Sequence, residues 1–417
     1  MSGNGRTRVV VTGIGVVSPL GIGIEDTWRR LVAGESGAGP ITLFDTDGFD
    51  VRVACEADAF DPSDFIEHRA ARRMDRFAQM AVAAARMAMS DAGVADDSDR
   101  LGVVVASGAG GGATREAQMR VLTERGPDRV SPLTIPASVP NMAAAQVSMT
   151  VGARGPVTAT CTACAAGTDA IGLSAAMLRR GSADVMLAGG ADTMITPLWV
   201  AGFDAMRVLT HPAEDPADAP RPFDAARDGF LIGEAGAVMV LERLEDALAR
   251  GARPIVEVLG YGASADAFHM TDPDPRGRPQ SRAIAAAIAD AGITPDRVGY
   301  VNAHGGGSRA GDPAEVLALR TALGDEVASG VAISGTKASH GHCLGAAGAL
   351  EGAIAAMAVA TDTVPATRNL GNVDDAFTGI DHVIGSARRT PVGVALSCSF
   401  GLGGHNACLA LGPGDGG

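Results

Sequence analysis

The chain has 417 residues, of which 46% are hydrophobic, 20% charged and 4% aromatic. This composition is typical of a globular protein and excludes a disordered one, and the length leaves room for two or three domains. The formal net charge of −14 argues against nonspecific binding to nucleic acid, so we expect no nucleic-acid partner.

Targeting signals and disulfides are not evident in the sequence. The first residues, MSGNGRTRVV, lack the apolar segment of a secretory signal. The longest apolar run, residues 343–360, is interrupted by Glu351 and predicts a buried helix rather than a membrane span. Six cysteines in so long a chain do not form a disulfide framework. We therefore expect a cytoplasmic protein that makes no membrane contact.

Apolar strand-like and helix-like runs alternate along the chain. In the first half the predicted strands are residues 8–17, 101–106, 157–160 and 184–190, and the predicted helices are 74–92 and 165–180. In the second half the strands are 298–303, 331–334 and 392–397, and the helices are 313–323 and 344–360. This alternation predicts an α/β architecture with helices covering the sheets.

The two halves follow the same scheme. Cys164 and His342 each precede a helix of small residues, which indicates a duplicated α/β unit whose halves face each other and bring both helix starts to one centre. No residue-level repeat is evident. Residues 211–222, rich in Pro, Asp and Ala, predict a loop. The boundary is placed near residues 252–254, so the halves are residues 1–253 and 254–417.

The stretch TATCTACAAGTDA at residues 158–170 contains two cysteines that allow three interpretations: a metal or redox pair, buried core residues, or one nucleophile. A structural zinc site needs about four ligands, and no matching Cys/His pair follows. Cys164 lies between a strand and a helix, where unpaired N–H groups and the helix dipole would lower its pKa from about 8.5. This position favours Cys164 as a nucleophile and Cys161 as a packed strand residue.

Three further glycine-rich stretches carry reactive side chains: VNAHGGGS (301–308), GTKASHGHCLGAAG (335–348) and SCSFGLGGHN (397–406). A lone histidine is more often structural, and none of the stretches has phosphate-loop or dinucleotide spacing. No G-x-S-x-G motif supports serine hydrolysis. A thiol, the two imidazoles of His304 and His342 and the amine of Lys337 together suit acyl transfer.

Several ordered motifs resemble those of the elongating β-ketoacyl-[acyl carrier protein] synthases. They are VVVTGIGVVSPLG (9–21), RPFDAARDGFLIGEAGAVMVLE (221–242), SADAFHMTDP (264–273), GHCLGAAGALE (341–351) and SFGLGGHNACLAL (399–411). The resemblance implies a thiolase fold, with duplicated α/β halves in five αβαβα layers, and normally a dimer.

The resemblance also implies roles for individual residues. Cys164 in TACAAG would be the acylated nucleophile, and His304 in NAHG and His342 in TKxxxGH would complete a Cys-His-His set. Lys337 and Glu351 would be the pair that orders the site. An acyl chain would pass to the cysteine from a carrier protein, and decarboxylation of a malonyl carrier would give an enolate stabilised by both histidines. No bound cofactor or metal is expected, since the carrier supplies phosphopantetheine.

Other positions implied by the resemblance surround the nucleophile. The backbone amides of Cys164 and Phe400 would form the oxyanion hole, and Leu402 stands where a gating phenylalanine is common. The usual HGTST becomes HGGGS, so Gly306 replaces the first of two threonines that typically hold phosphopantetheine, and Ser308 keeps one hydroxyl.

The acyl tunnel departs from the family pattern at Ala109, where an aliphatic gate is common. Leu133 and Thr134 stand where a pair of phenylalanines is common, near the expected dimer contact. A wider tunnel favours rigid or bulky acyl groups, and so a type II polyketide pathway, such as a polyene one. Fatty acid biosynthesis remains the other interpretation.

The expected partners are an acyl carrier protein and a second chain, either an identical one or a chain-length factor. Because carrier proteins of this type are acidic, we expect a basic docking patch at Arg69, Arg72, Arg73 and Arg207. Three alternatives share parts of this pattern. A noncatalytic chain-length factor usually lacks the cysteine, a thiolase uses a second catalytic cysteine, and a scaffold or redox module leaves the four motifs unexplained.

Overall fold

The structure is a computed structural model that describes residues 6–211 and 215–414. Its strands are β1 (Val9–Ser18), β2 (Gly21–Ile22), β3 (Gly39–Pro40), β4 (Val53–Ala54), β5 (Leu101–Ala106), β6 (Val157–Thr158), β7 (Val185–Thr193), β8 (Glu234–Arg243), β9 (Val256–Ala265), β10 (Val298–Asn302), β11 (Ala332–Ser334), β12 (Thr363–Val364), β13 (Asp381–His382), β14 (Arg388–Arg389), β15 (Val394–Gly401) and β16 (His405–Pro413). Its helices are α1 (Ile24–Val32), α2 (His68–Ala71), α3 (Arg76–Ala92), α4 (Gly112–Arg125), α5 (Thr134–Ser138), α6 (Met142–Val151), α7 (Ala166–Arg179), α8 (Pro197–Ala205), α9 (Leu244–Ala249), α10 (Arg278–Ala291), α11 (Gly311–Leu323), α12 (Asp325–Gly330), α13 (Lys337–His340) and α14 (Ala347–Thr361).

Two half-sheets with the same pairing pattern meet where β1 pairs with β9. The first half runs β1-β8-β7-β5-β6 and the second runs β9-β16-β15-β10-β11-β13. In each half the first two neighbouring pairs are antiparallel and the next two are parallel. This shared pattern is the duplication that the sequence predicts.

The half-sheets separate three layers of helices. Successive residues of a strand point to opposite faces of a sheet, so β5 sends Val104 and Ala106 into a central core with α7 and α14. Its Val103 and Val105 pack against α3 and α6 instead. In the second half, alternate residues of β15 and β16 pack against α10 and α11. The predicted α/β fold in five αβαβα layers is confirmed.

Glycines allow each half-sheet to approach its outer helix closely. Gly13 and Gly15 of β1 face α3, and Gly260 and Gly262 of β9 face α10. A Cβ atom on any of these four residues would lie 1.9–2.3 Å from a backbone carbonyl oxygen of the facing helix. The TGIG of β1 and the LGYG of β9 are therefore a residue-level repeat that was not evident from the sequence alone.

The element boundaries correct one prediction about the cysteine pair. The strand predicted over residues 157–160 ends at Thr158, and Cys161 is exposed. Its assignment as a packed strand residue is wrong, because β6 is the outermost strand of its half-sheet and the chain beyond it is not covered.

Two other sequence predictions concern segments between and within the halves. The predicted boundary at residues 252–254 falls between α9 and β9. Residues 212–214 of the predicted loop lie outside the described residues. Among the described residues, Leu344–Thr361 is long and apolar enough to cross a membrane, but 83% of this stretch is buried inside the protein, as in a core helix.

Candidate active site

Cys164 lies in a strained turn at the start of α7. The 3₁₀ turn Ala163–Ala165 begins with Ala163 at φ +50°, and the turn Leu344–Ala346 before α14 begins with Leu344 at the same φ. Non-glycine residues rarely adopt this conformation, and those that do cluster at functional sites. The two turns pack against each other, so both helix starts do meet at one centre.

The thiol of Cys164 is buried, with 7% of the residue exposed. Burial raises its pKa to about 11, and the charge of Lys337 and a hydrogen bond from the backbone N–H of Leu402 oppose this rise only in part. The expected lowering of this pKa is therefore wrong, because the loss of hydration on burial is the largest influence on the thiol. The free protein holds a protonated thiol at neutral pH.

His304 and His342 lie edge to face, with ring centroids 5.3 Å apart. Nδ1 of His342 accepts the backbone N–H of Leu344 at 3.1 Å. Nδ1 of His304 faces two donors, the ammonium of Lys337 and the N–H of Phe400, each at 3.4 Å. A neutral imidazole whose Nδ1 accepts a hydrogen bond carries its proton on Nε2. This pattern assigns an Nε2–H donor to both rings.

Burial also holds both rings in the neutral state. It lowers the pKa values of His304 and His342 well below the usual range, and the positive charge of Lys337 lowers them further. The two neutral imidazoles expected from the sequence are therefore consistent with the electrostatics of the site.

Lys337 and Glu351 form an ion pair that is closed to solvent. The ammonium also donates to the backbone carbonyl of His304 at 2.6 Å. Burial raises the pKa of the Glu351 carboxyl to about 7, although Lys337 favours its ionised form. Lys337 thus joins helix α14, through Glu351, to both the backbone and the ring of His304.

Two acidic residues of α11 fix the loop that carries His304. Glu315 accepts the backbone N–H groups of His304 and Gly305 at 2.7 and 2.8 Å, and Asp312 accepts that of Ser308 at 3.1 Å. Burial raises their pKa values, to about 8 for Glu315 and about 6 for Asp312. Neither residue was predicted from the sequence. The signal was present, because a buried glycine-rich loop needs acceptors for its N–H groups.

One cavity of about 750 Å³ brings most of the predicted site together. The predicted residues that line it are Cys164, Arg207, His304, Gly306, Ser308, His342, Phe400 and Leu402. Lys337 and Glu351 lie behind this wall, fully buried. The structure thus places the thiol, both imidazole rings and the glycine-rich loops around a common space.

The predicted oxyanion-hole amides belong to adjacent backbone segments. A Cβ atom on Gly401 would lie 3.0 Å from the amide nitrogen of Cys164, a tight contact that glycine avoids. The neighbouring Phe400 N–H is directed at Nδ1 of His304. The two amides therefore come from chain segments in direct contact, although the Phe400 amide already has an acceptor.

The loop after His304 has an open face and an available hydroxyl. Gly306 does not have a positive φ, and a Cβ atom there would meet nothing closer than Nε2 of His304 at 3.8 Å. The missing threonine side chain therefore leaves space rather than relieving strain. The Ser308 hydroxyl oxygen accepts the Gly311 N–H at 2.8 Å, which leaves its own proton free to donate.

The predicted tunnel residues fall in two places. Ala109 packs against an apolar cluster that contains Phe203 and Leu344, two residues of the cavity wall. Leu133 and Thr134 lie instead at the start of α5, outside this cavity, with Leu133 39% exposed. A tunnel role for these two residues stays a prediction that involves a second chain.

The predicted docking arginines are also divided. Arg69, Arg72 and Arg73 are exposed in α2 and the turn after it, whereas Arg207 lies at the cavity. Within residues 6–211 and 215–414, no group of three or more His, Cys, Asp or Glu side chains is placed to hold a metal ion.

Comparisons with known proteins place this geometry in a family. The model of the beta-ketoacyl synthase N-terminal domain matches residues 6–247, and that of the C-terminal domain matches residues 255–371. The chain is 44% identical to the 3-oxoacyl-[acyl-carrier-protein] synthase 2 of Synechocystis over 409 residues, which cover 97% of the chain and 98% of that relative. It is 43% identical to the Vibrio cholerae synthase of the same name over 408 residues, with the same coverage.

Solved structures of ketosynthases have the same fold. The ishigamide ketosynthase/chain length factor matches with a TM-score of 0.91 and 36% identity, over 98% of this chain and 99% of that one. The ketosynthase AntDE, solved with its type II polyketide synthase carrier protein AntF and bound to a hexaketide, matches with a TM-score of 0.88 and 31% identity, over 98% and 100%. The thiolase fold of the ketosynthases is thus shown, and the chain belongs to the β-ketoacyl synthase family.

Proposed function

We propose that this chain is a β-ketoacyl-[acyl carrier protein] synthase, an acyltransferase that lengthens a carrier-bound acyl chain by decarboxylative condensation. The observation that carries this proposal is the joint exposure of the Cys164 thiol and the imidazoles of His304 and His342 to one cavity. A noncatalytic chain-length factor would not need these three groups, and neither would a scaffold.

In the first half-reaction, Cys164 attacks the thioester of an acyl carrier. The cysteine sulfur forms a bond to the acyl carbon, the bond from that carbon to the phosphopantetheine sulfur breaks, and the departing thiolate takes up the proton that Cys164 releases. The amides of Cys164 and Phe400 would stabilise the tetrahedral oxyanion, once Phe400 N–H turns from His304 to the substrate.

In the second half-reaction, a malonyl carrier occupies the same cavity. Loss of CO2 leaves its electron pair on the α-carbon, and the two Nε2–H groups of His304 and His342 would hold the enolate oxygen that results. The carbanion attacks the Cys164 thioester, and the cysteine leaves as a thiolate that is then protonated. The product is a β-ketoacyl carrier two carbons longer.

The proposed partners are an acyl carrier protein, which brings phosphopantetheine as part of the substrate, and a second chain. Carrier and chain-length-factor complexes are known among the similar structures. Strand β6 is the last strand of its half-sheet, its outer edge has no strand partner among the described residues, and its Val157 is 41% exposed. Ile135 and Met149 on helices α5 and α6 are also exposed, at 68% and 64%. An uncovered strand edge with apolar neighbours suits pairing with a second chain.

The exposed Arg69, Arg72 and Arg73 would form the docking patch for the acidic carrier, together with Arg207. Changing Arg69 and Arg73 to Glu should raise the apparent KM for carrier substrates and weaken its salt dependence. The same KM as the wild-type protein across ionic strengths would refute this patch.

The similar proteins include 3-oxoacyl-[acyl-carrier-protein] synthases and a ketosynthase of a type II polyketide synthase. Two small residues support a polyketide assignment, such as a polyene pathway. Ala109 packs against the apolar cluster that contains the wall residues Phe203 and Leu344, and the missing side chain of Gly306 leaves space at the cavity. The cytoplasmic location stays a prediction that cell fractionation would test.

The function is tested by incubating the protein with an acyl carrier and a malonyl carrier and measuring the products by mass spectrometry. A synthase releases CO2 and yields a β-ketoacyl carrier two carbons longer than the acyl donor. Acyl transfer without elongation would instead indicate a thiolase-type acyltransferase. No reaction except in the presence of a second, catalytic chain would indicate a chain-length factor.

A further inference from the structure

Two arginines are the permanent positive charges on the cavity wall in the described part of the chain. Arg207 follows α8, and Arg309 directly follows Ser308 in the loop that carries His304. Both side chains are exposed, and neither has an ion-pair partner among the described residues. Unpaired arginines that face a substrate cavity are suited to an anion, and the guanidinium group matches the geometry of phosphate.

Seven carboxylates also line this cavity, and five of them already have hydrogen-bonding partners. Asp204 pairs with His211 at 2.9 Å, Asp228 with Thr210 at 2.6 Å and Asp266 with Asn406 at 2.6 Å, while Asp312 and Glu315 accept backbone N–H groups of the His304 loop. Asp272 lies 3.7 Å from His269, and neither it nor Asp50 forms an ion pair with the two arginines in the described part of the chain. The guanidinium groups thus stay available for a ligand.

The loop holds Arg309 in a defined place. Glu315 anchors its start at His304, Asp312 accepts the Ser308 N–H, and Arg227 donates to the Ser308 carbonyl at 3.2 Å. Arg309 lies five residues after His304, so the two backbones are at most roughly 17 Å apart. The loop therefore presents the imidazole at the reaction centre and the guanidinium farther along the same wall.

We propose that Arg309, assisted by Arg207, binds the phosphate of the phosphopantetheine arm while its thioester lies at Cys164. The proposal rests on the proposed function and adds a binding residue to it. The arm has a thioester at one end and a phosphate at the other. The loop offers the imidazole of His304 to the thioester end and the guanidinium of Arg309 to the phosphate end. Gly306 lacks the hydroxyl that would hold the middle of the arm, so an ionic contact at its far end compensates for the missing hydrogen bond.

The test compares acylation of Cys164 by two small donors that differ in one phosphate, acyl-pantetheine and acyl-4′-phosphopantetheine. We expect the wild-type protein to prefer the phosphorylated donor by about tenfold in kcat/KM, the scale of one charge-assisted hydrogen bond. This preference should shrink in R309Q, be partly kept in R309K, and fall with added salt. The matched control R297Q changes an exposed arginine outside the cavity and should keep the wild-type preference.

Equal rates with both donors, or a preference that survives R309Q, would overturn the inference. If carrier substrates are still condensed in that case, the proposed function stands without it. No acylation by either donor, together with no condensation of carriers, would overturn both. A preference for acyl-coenzyme A over acyl-4′-phosphopantetheine would indicate that Arg309 binds free coenzyme A instead, and this result would also contradict the proposal.

Discussion

At the scale of single residues, burial sets the protonation of every reacting group. Burial disfavours a positive charge on either imidazole, and the ammonium of Lys337, beside Nδ1 of His304, adds to this effect, so the pKa values of both histidines are lowered and their rings stay neutral. Burial keeps Cys164 as a thiol for the same reason that it keeps the imidazoles uncharged. In this state the site presents two neutral N–H donors to an enolate oxygen, and Cys164 is a thiol rather than a thiolate.

The pH dependence of Cys164 alkylation follows from its raised pKa. Because only the thiolate reacts, and its pKa is about 11, the rate of alkylation by iodoacetamide should rise about tenfold per pH unit from about pH 7 to about pH 10. The measurement is intact-protein mass spectrometry in a Cys161→Ala background, which removes the exposed thiol. A rate that levels off below about pH 9 would contradict the raised pKa.

Ala109 should control which acyl groups the site accepts. Ala109→Ile adds three carbon atoms against the apolar cluster that contains the cavity-wall residues Phe203 and Leu344. We expect slower condensation of polyunsaturated or branched acyl carriers, because a rigid chain cannot bend past the new side chain, and little change for short saturated ones. Relative kcat/KM values for paired donors measure this effect. Equal slowing of all donors, or none, removes the reason for a polyketide assignment.

The reacting residues could be predicted from the sequence, whereas their electrostatics could not. Cys164, His304 and His342 each stand in a recognisable motif. The pKa of Cys164 depends on its burial and on a hydrogen bond from the backbone N–H of Leu402, which comes from the far end of the chain. The role of Glu315 likewise appears only when α11 is seen to lie beneath the His304 loop.

At the scale of elements, the distance between each half-sheet and its outer helix depends on glycine. The pairs Gly13/Gly15 and Gly260/Gly262 let β1 and β9 lie directly on the backbones of α3 and α10. The central core then packs α7 and α14 against the strands of both halves. The turns that directly precede these two helices lie at the active site.

Two glycine substitutions should therefore have opposite effects. Gly262→Ala would place a Cβ atom 2.2 Å from the Ala283 carbonyl oxygen, and should lower the free energy of unfolding by at least about 1 kcal/mol. Gly202 lies in α8, where an added Cβ atom would meet nothing within 4 Å, so Gly202→Ala should raise it by about 0.5–1 kcal/mol. Urea unfolding measures both variants. Equal shifts in the two proteins would contradict this account.

The elements were largely predictable because hydrophobic periodicity marks long buried segments. The end of β6 was not, since residues 157–160 look like one strand until the sheet order makes β6 an edge. The glycine repeat was hidden for a different reason. The two halves share strand pairing and close helix contacts, and few identical residues are needed to produce either.

At the scale of the whole molecule, the open edge at β6 is the surface best suited to a second chain. We expect the protein to be a dimer in solution, and Val157→Lys on this edge should shift it toward the monomer, because a charged residue disfavours edge-to-edge strand pairing. Sedimentation equilibrium measures the change. The control Leu248→Lys alters an exposed apolar residue of α9 and should leave the dimer intact. A Val157→Lys protein that associates as the wild type does would place the interface elsewhere.

The central claim is that Cys164, and not its neighbour Cys161, carries the acyl chain. The most direct measurement is the intact mass of the protein after incubation with an acyl carrier, for the wild-type, Cys164→Ala and Cys161→Ala proteins. We predict an acyl adduct on the wild-type and Cys161→Ala proteins and none on Cys164→Ala, because only Cys164 lies in the cavity with both histidines. An adduct that persists in Cys164→Ala, or is lost in Cys161→Ala, would contradict the account.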